Sequence, residues 1–150
     1  MNLSERIIPS CVVLDIKAKT REKVIESLLN RLLEAGKSFD RDQVLNEILR
    51  REALGSTGVG YGVAIPHARV DGVHEMLVAF GRTRSGIDVE AIDKEPARLF
   101  FLVIGPKEDA GEYLQTIARI SRLMRHNEVR MELLECKAEI EVQAIIRKYE

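Results

Sequence analysis

The sequence predicts an α/β fold with helices covering both faces of a sheet, and three observations carry that prediction. Apolar residues recur at helical spacing in the first third of the chain and again in the last. Between those stretches lie short apolar runs suited to strands. One of them, Ala97 to Ile104 (ARLFFLVI), is apolar enough to be buried on both faces at the centre of a sheet.

In chain order, Cys11 to Leu14 suits a first strand. From Thr20 the positions Val24, Ile25, Leu28, Leu29, Leu32 and Leu33 make one helical stripe, with Thr20 as N-cap and Gly36 as stop. Asp40 with Gln43 three residues on reads as the start of a second helix, with Val44, Leu45, Ile48 and Leu49 as its apolar face and an end near Arg51. Gly55, Gly58, Gly60 and Gly62 then crowd ahead of Val63 to Ile65, a tight loop feeding a strand. Met76 to Arg82 and Ala97 to Ile104 follow as strands, the latter closed by Pro106. A third stripe runs through Leu114, Ile117, Ala118, Ser121 and Met124; Asn127 can cap a short fourth helix, and Ile140 to Tyr149 form the last.

With 150 residues, 45% of them hydrophobic and 31% charged, the chain suffices for one buried core, so a single domain spanning 1–150 is expected. Lys+Arg 23 against Asp+Glu 24 gives no electrostatic ground for a nucleic-acid partner. The N-terminal stretch lacks the apolar region of a signal peptide, and no segment approaches the roughly 18 apolar residues of a membrane span. Cys11 and Cys136 stand apart without metal-ligand or CxxC spacing and read as reduced thiols of a cytoplasmic protein.

Of the three histidines, His74 lies in a turn after Asp71-Gly72, and His126 ends a helix whose dipole an imidazolium would complement. His67 differs. Pro66 before it fixes its own φ and pushes Ile65 into an extended conformation, so the imidazole leaves a strand end in a set direction, as a nucleophile requires. Ser56 and Thr57 offer hydroxyls, the glycines around Gly58 allow main-chain N–H groups to converge on an anion, and Arg51 and Arg69 bracket the segment with positive charge. The residue types alone leave two readings open, a simple turn before a strand and a site that holds phosphate. For attack by one ring nitrogen, the other N–H must be held by an acceptor, which the sequence does not name. A P-loop is excluded, because Tyr61 and Gly62 follow Gly60 where Lys and Ser/Thr are required. A dinucleotide fingerprint fails at Val63, which takes the place of its third glycine.

The run Arg51 to Arg69, REALGSTGVGYGVAIPHAR, closely resembles the signature of enzyme IIA domains of the mannitol/fructose/nitrogen-regulatory class of the bacterial phosphotransferase system. Their phosphorylated histidine sits in a G-[VI]-A-[IV]-P-H segment, which puts His67 at the phosphorylation site. The resemblance extends through Ile92, Asp93 and Pro96 (IDxxP), the strand ending Val103-Ile104, and the helix LxxIARISRLMR. It implies a three-layer α/β/α sandwich with a mixed, mainly five-stranded sheet. It also implies phosphate taken from an HPr-like phosphocarrier, with no metal or organic cofactor, and stabilisation by Arg51, the loop amides, Ser56 and Thr57. Family members usually carry a second histidine where this chain has Tyr113, and a phenol can donate to a phosphate but cannot become a cation near neutral pH. The LGSTG loop, Tyr113 and a chain that closes at Glu150 without a linker favour a regulatory, nitrogen-type branch, acting on a transporter or sensor kinase. The alternatives are sugar uptake, with phosphate passed to an enzyme IIB, and a regulator that only binds.

Overall fold

The computed structural model describes residues 2–150. The chain opens with a short helix α1 (Leu3–Arg6), absent from the sequence expectation, and a 3₁₀ turn at Pro9–Cys11 that leads into strand β1 (Val12–Val13). Helix α2 (Arg21–Glu34) starts where Thr20 accepts a hydrogen bond from the Lys23 N–H at 3.2 Å. It stops in a Schellman arrangement: Lys37 N–H donates to the Leu32 carbonyl and Gly36 N–H to that of Leu33, with Gly36 at φ +88°. Asp40 caps α3 (Arg41–Leu54) through the Gln43 N–H at 3.1 Å. This helix runs to Leu54, beyond the Arg51 expected, because Glu52 is itself buried and keeps the last turn packed.

Strands β2 (Gly58–Gly60), β3 (Val63–Ala64), β4 (His67–Val70), β5 (Leu77–Ile87) and β6 (Ala97–Pro106) follow, then helices α4 (Ala110–Leu123), α5 (Asn127–Glu135) and α6 (Glu139–Tyr149). Among the described residues the sheet order is β1-β5-β6-β3-β2, with β4 also paired to β6. β5 and β6 are antiparallel, with Phe80 opposite Phe101, as are β2 and β3, while β1 pairs parallel with β5 and both β3 and β4 pair parallel with β6, so the sheet is mixed. Val63 pairs with Leu99 and His67 with Val103, the same register on either side of Pro66. β3 and β4 are therefore two lengths of one strand, interrupted where proline has no N–H to give. Counted so, the sheet has the five strands expected.

Both faces of β6 are dry. Phe100, Leu102 and Ile104 point into a core shared with α2 and α3, and Leu99, Phe101 and Val103 into a second core shared with α1, α4, α5 and α6. This accounts for the unbroken apolar run, and each fully buried phenylalanine contributes about 2 kcal/mol. Three layers, α/β/α, result.

Two readings change. The inward face of α4 is Tyr113, Thr116, Ile120 and Leu123, and Leu114 is 61% exposed. The apolar pattern fitted two adjacent stripes, and packing on β6 selects the one containing Tyr113. His126, rather than Asn127, occupies the N-cap position of α5 and lies exposed, 3.6 Å from Glu128. Asp109, in the charged loop before α4, caps that helix through the Gly111 N–H at 3.1 Å. No helix among the described residues is long and apolar enough to cross a membrane.

Candidate phosphoryl-acceptor site

His67 opens β4, immediately after the proline that divides β3 from β4. The N–H of Ile65 donates to the Thr57 carbonyl at 3.0 Å, while the Pro66 carbonyl accepts from Val103 N–H at 3.0 Å. The Ile65 carbonyl thus faces away from β6, and His67 Nδ1 lies 2.6 Å from it. A carbonyl oxygen can only accept, so Nδ1 carries the proton and Nε2 keeps the lone pair. This is the acceptor the sequence did not reveal; it is main chain, and only the geometry imposed by Pro66 hinted at it.

Around the imidazole lies an open cleft of about 370 Å³, lined by Glu47, Arg50, Arg51, Leu54, His67, Ala68, Arg69, Lys107 and Tyr113. Arg51, in the last turn of α3, donates to the Gly55 carbonyl at 2.8 Å, and Arg69, on β4, to the Lys107 carbonyl at 3.4 Å. Each guanidinium is held by a main-chain carbonyl, so its charge is left for an incoming anion. Arg50 and Lys107, by contrast, reach carboxylates of Glu47 and Asp71, both at 3.5 Å.

Tyr113 lies flat against β6, where a Cβ built on Gly105 would come within 2.8 Å of its Cδ1. Only a glycine lets the ring approach so closely. Arg69 Cζ stands 5.9 Å from the ring centre. Burial pushes the Tyr113 phenol up to about 12, against the opposing pull of Arg69 and Arg51, so it remains a neutral donor. Burial also holds His67 below the ordinary histidine value, with Arg51 acting in the same sense; the bond to Ile65 and the charge of Glu52 oppose. The ring is therefore neutral near pH 7, as a nucleophile must be.

The structure brings His67, Arg51, Arg69 and Tyr113 together but sends the loop hydroxyls elsewhere. Ser56 donates to the Val89 carbonyl and accepts from Gly58 N–H at 2.9 Å, so the Gly58 amide is also committed. Thr57, 5% exposed, donates to the Glu52 carboxylate. Neither hydroxyl lines the cleft, because the loop folds back on its own support. The Gly60–Gly62 turn is pinned by Asp93, whose carboxylate accepts from Tyr61 N–H at 2.9 Å and Glu95 N–H at 3.0 Å. Those two donors hold its carboxyl below the usual range. The IDxxP segment is thus a clasp on the loop. Sequence reasoning missed Leu54 and Lys107 in the cleft and Glu52 beneath it. His74 stays on an exposed turn, and Cys11 and Cys136 are free and buried, their thiols pushed up by burial.

Residues 7–149 match the family model described as "Phosphoenolpyruvate-dependent sugar phosphotransferase system, EIIA 2". A fructose-specific EIIA component of the phosphotransferase system from Haloferax volcanii is 41% identical over 127 residues, 85% of this chain and 82% of that protein. A nitrogen regulatory protein from Bradyrhizobium diazoefficiens is 31% identical over 97% of this chain and 92% of its own length. The crystal structure of nitrogen regulatory protein IIA-Ntr from Neisseria meningitidis superimposes with a TM-score of 0.89 at 33% identity, covering 96% of this chain and 98% of that one.

Proposed function

The chain belongs to the phosphoenolpyruvate-dependent sugar phosphotransferase system EIIA 2 family, and from that premise we propose that it carries a phosphoryl group on Nε2 of His67, received from an HPr-like phosphocarrier protein. The observation that carries the reading is the bond of His67 Nδ1–H to the Ile65 carbonyl, which leaves Nε2 as the free nucleophile. As Nε2 forms its bond to phosphorus, the bond to the donor breaks and its electron pair leaves with the donor. Such a transfer is loose and in-line, so the protein has only to position the ring and neutralise the phosphoryl oxygens. Arg51 and Arg69 supply fixed positive charge for this and Tyr113 one neutral hydrogen-bond donor. Ser56, Thr57 and Gly58 brace the loop. This assignment needs no metal or organic cofactor, and the relay operates in the cytoplasm, where phosphoenolpyruvate is made.

For the onward step, the regulatory branch is supported by the LGSTG loop and by the similarity to IIA-Ntr over nearly the whole chain. Its output is a phosphorylation-dependent contact with a transporter or sensor kinase. The 41% identity to a fructose-specific component favours a second reading, transfer to a fructose- or mannitol-type IIB.

The test is incubation with phosphoenolpyruvate, enzyme I and the phosphocarrier, followed by intact-mass measurement in alkali. One added phosphate is expected, absent from His67→Ala, which should fold normally; labelling of that variant would overturn the site assignment. Addition of a IIB protein separates the branches, since loss of the label to it favours uptake.

A further inference from the structure

Beneath His67, on the side away from the cleft, lies a buried acid that the phosphoryl-carrier reading does not use. Glu52, in the last turn of α3, is 6% exposed. One carboxylate oxygen accepts from the Thr57 hydroxyl, and the other lies 3.3 Å from Nη1 of Arg21, the first residue of α2. Arg21 is fixed in turn by the Val89 carbonyl at 3.4 Å and by Glu90 at 3.8 Å. A carboxylate withdrawn from water is destabilising unless paired and hydrogen-bonded, and here both conditions are met.

The chain of contacts continues to the nucleophile. Thr57, whose side chain Glu52 holds, accepts the Ile65 N–H on its main-chain carbonyl at 3.0 Å. Ile65 in turn accepts His67 Nδ1–H at 2.6 Å. Every contact in this sequence has a fixed polarity: Glu52 can only accept, so the Thr57 proton points down at it, and the Ile65 carbonyl is left to face the ring. From this we infer that Glu52 is a positioning residue for His67, acting through Thr57 and the main chain of Ile65 to hold the ring in the Nδ1–H tautomer. The inference rests on the phosphoryl-carrier reading for its functional consequence, but its structural claim does not. Among the described residues the cleft beside this ring is lined by the cations Arg50, Arg51, Arg69 and Lys107 and by one carboxylate, Glu47, which lies 3.5 Å from Arg50, so cations dominate. The Glu52 charge opposes them and offsets the positive character that the ring acquires as Nε2 bonds to phosphorus.

The test compares full-length wild type with Glu52→Gln, Thr57→Val and Thr57→Ser. The ¹⁵N chemical shifts of the His67 ring give the tautomer populations and the titration midpoint, and the initial rate of phosphorylation by the phosphocarrier gives function. Glu52→Gln and Thr57→Val should each raise the Nε2–H population and slow phosphorylation on the order of tenfold, as loss of an orienting partner behind a functional histidine does. The combination should cost no more than either alone, and Thr57→Ser, which keeps the hydroxyl, should retain the wild-type tautomer. A wild-type ring state in both folded Glu52→Gln and Thr57→Val would overturn the inference. Should Glu52→Gln not fold, the contrast between Thr57→Val and Thr57→Ser decides alone. If wild type takes no phosphate, the phosphoryl-carrier reading fails, and the tautomer measurements still decide the role of Glu52.

Discussion

The ring of Tyr113 meets the imidazole of His67 edge-on, with centroids 5.9 Å apart and planes inclined at 64°. Two aromatic side chains from different layers of the sandwich, one on α4 and one on β4, thus form one wall of the cleft. Among the described residues that line the cleft, Tyr113 is the one contributed by α4, and the next prediction turns on its phenol.

Tyr113→Phe keeps the ring contact and removes the donor, and should slow phosphorylation by about tenfold, less than the loss of a fully enclosed oxyanion donor. Tyr113→His supplies a group that can be cationic and should raise the rate. Stopped-flow or quench-flow labelling by the phosphocarrier measures both. A Tyr113→His rate at or below wild type would mean that the phenol is a full replacement.

The acid limb of the phosphorylation rate reports His67. Burial lowers its value in the folded protein, so the neutral, reactive ring should persist below the ordinary histidine midpoint of about 6.5. The same sign governs stability: the unfolded chain takes up this proton first, so the contribution of neutral His67 is present above about pH 6.5 and is lost as pH falls below it. Arg51→Gln removes a charge that lowers the value and should move the limb upward. A midpoint at or above 6.5 in wild type would contradict this account.

On the proposed reading, loss of Arg51 or Arg69 should weaken transfer, since each guanidinium is held by a main-chain carbonyl and, among the described residues, neither pairs with a carboxylate. Arg69→Gln should reduce the initial rate by about tenfold to a hundredfold while leaving the thermal midpoint close to wild type. Arg51→Gln should also lower stability, because its side chain closes the end of α3 on the Gly55 carbonyl at 2.8 Å. Labelling kinetics together with thermal melts separate the two.

Arg82 on β5 donates to the carbonyls of Leu133, Leu134 and Cys136 at 3.0, 3.3 and 2.7 Å, and to that of Leu14 at 3.1 Å. It thereby closes the C-terminus of α5 and ties it to the sheet. Arg82→Met removes the guanidinium donor from all four carbonyls, of which Leu133 keeps the Cys136 thiol at 3.4 Å, and should cost about 2–4 kcal/mol in urea unfolding. Arg82→Lys should recover only part, because an ammonium cannot span the same set of acceptors.

A Cβ at Gly105 would press on the Tyr113 ring, so Gly105→Ala should displace that ring. A loss of about 1–3 kcal/mol is expected, with phosphorylation falling as in Tyr113→Phe. Unfolding and labelling of this variant beside Tyr113→Phe test whether ring position or hydroxyl matters.

Much of this was legible in the sequence because it rests on side-chain type and spacing. Thr20, Gly36 and Asp40 punctuate α2 and α3 as their chemistry dictates, and ARLFFLVI is the central strand. Pro66 announced a directed His67. What was not legible depends on main-chain geometry or on choices between near-equal patterns. The Ile65 carbonyl carries no residue signature. The Ser56 and Thr57 hydroxyls could serve an anion or the loop, and only the positions of Val89 and Glu52, distant in sequence or hidden in a helix, decide for the loop. On α4 the stripe through Leu114 was as apolar as the one chosen, and contact with Gly105 selected Tyr113.

The strand that carries His67 keeps one register against β6 on both sides of Pro66. On the proposed reading, phosphate therefore arrives on a strand continuous with the sheet, and loading adds roughly two negative charges to a mainly cationic cleft. A partner of such a protein should then distinguish loaded from empty by surface potential. That discrimination should fade as salt shortens the reach of the field, to about 10 Å at 0.1 M ionic strength.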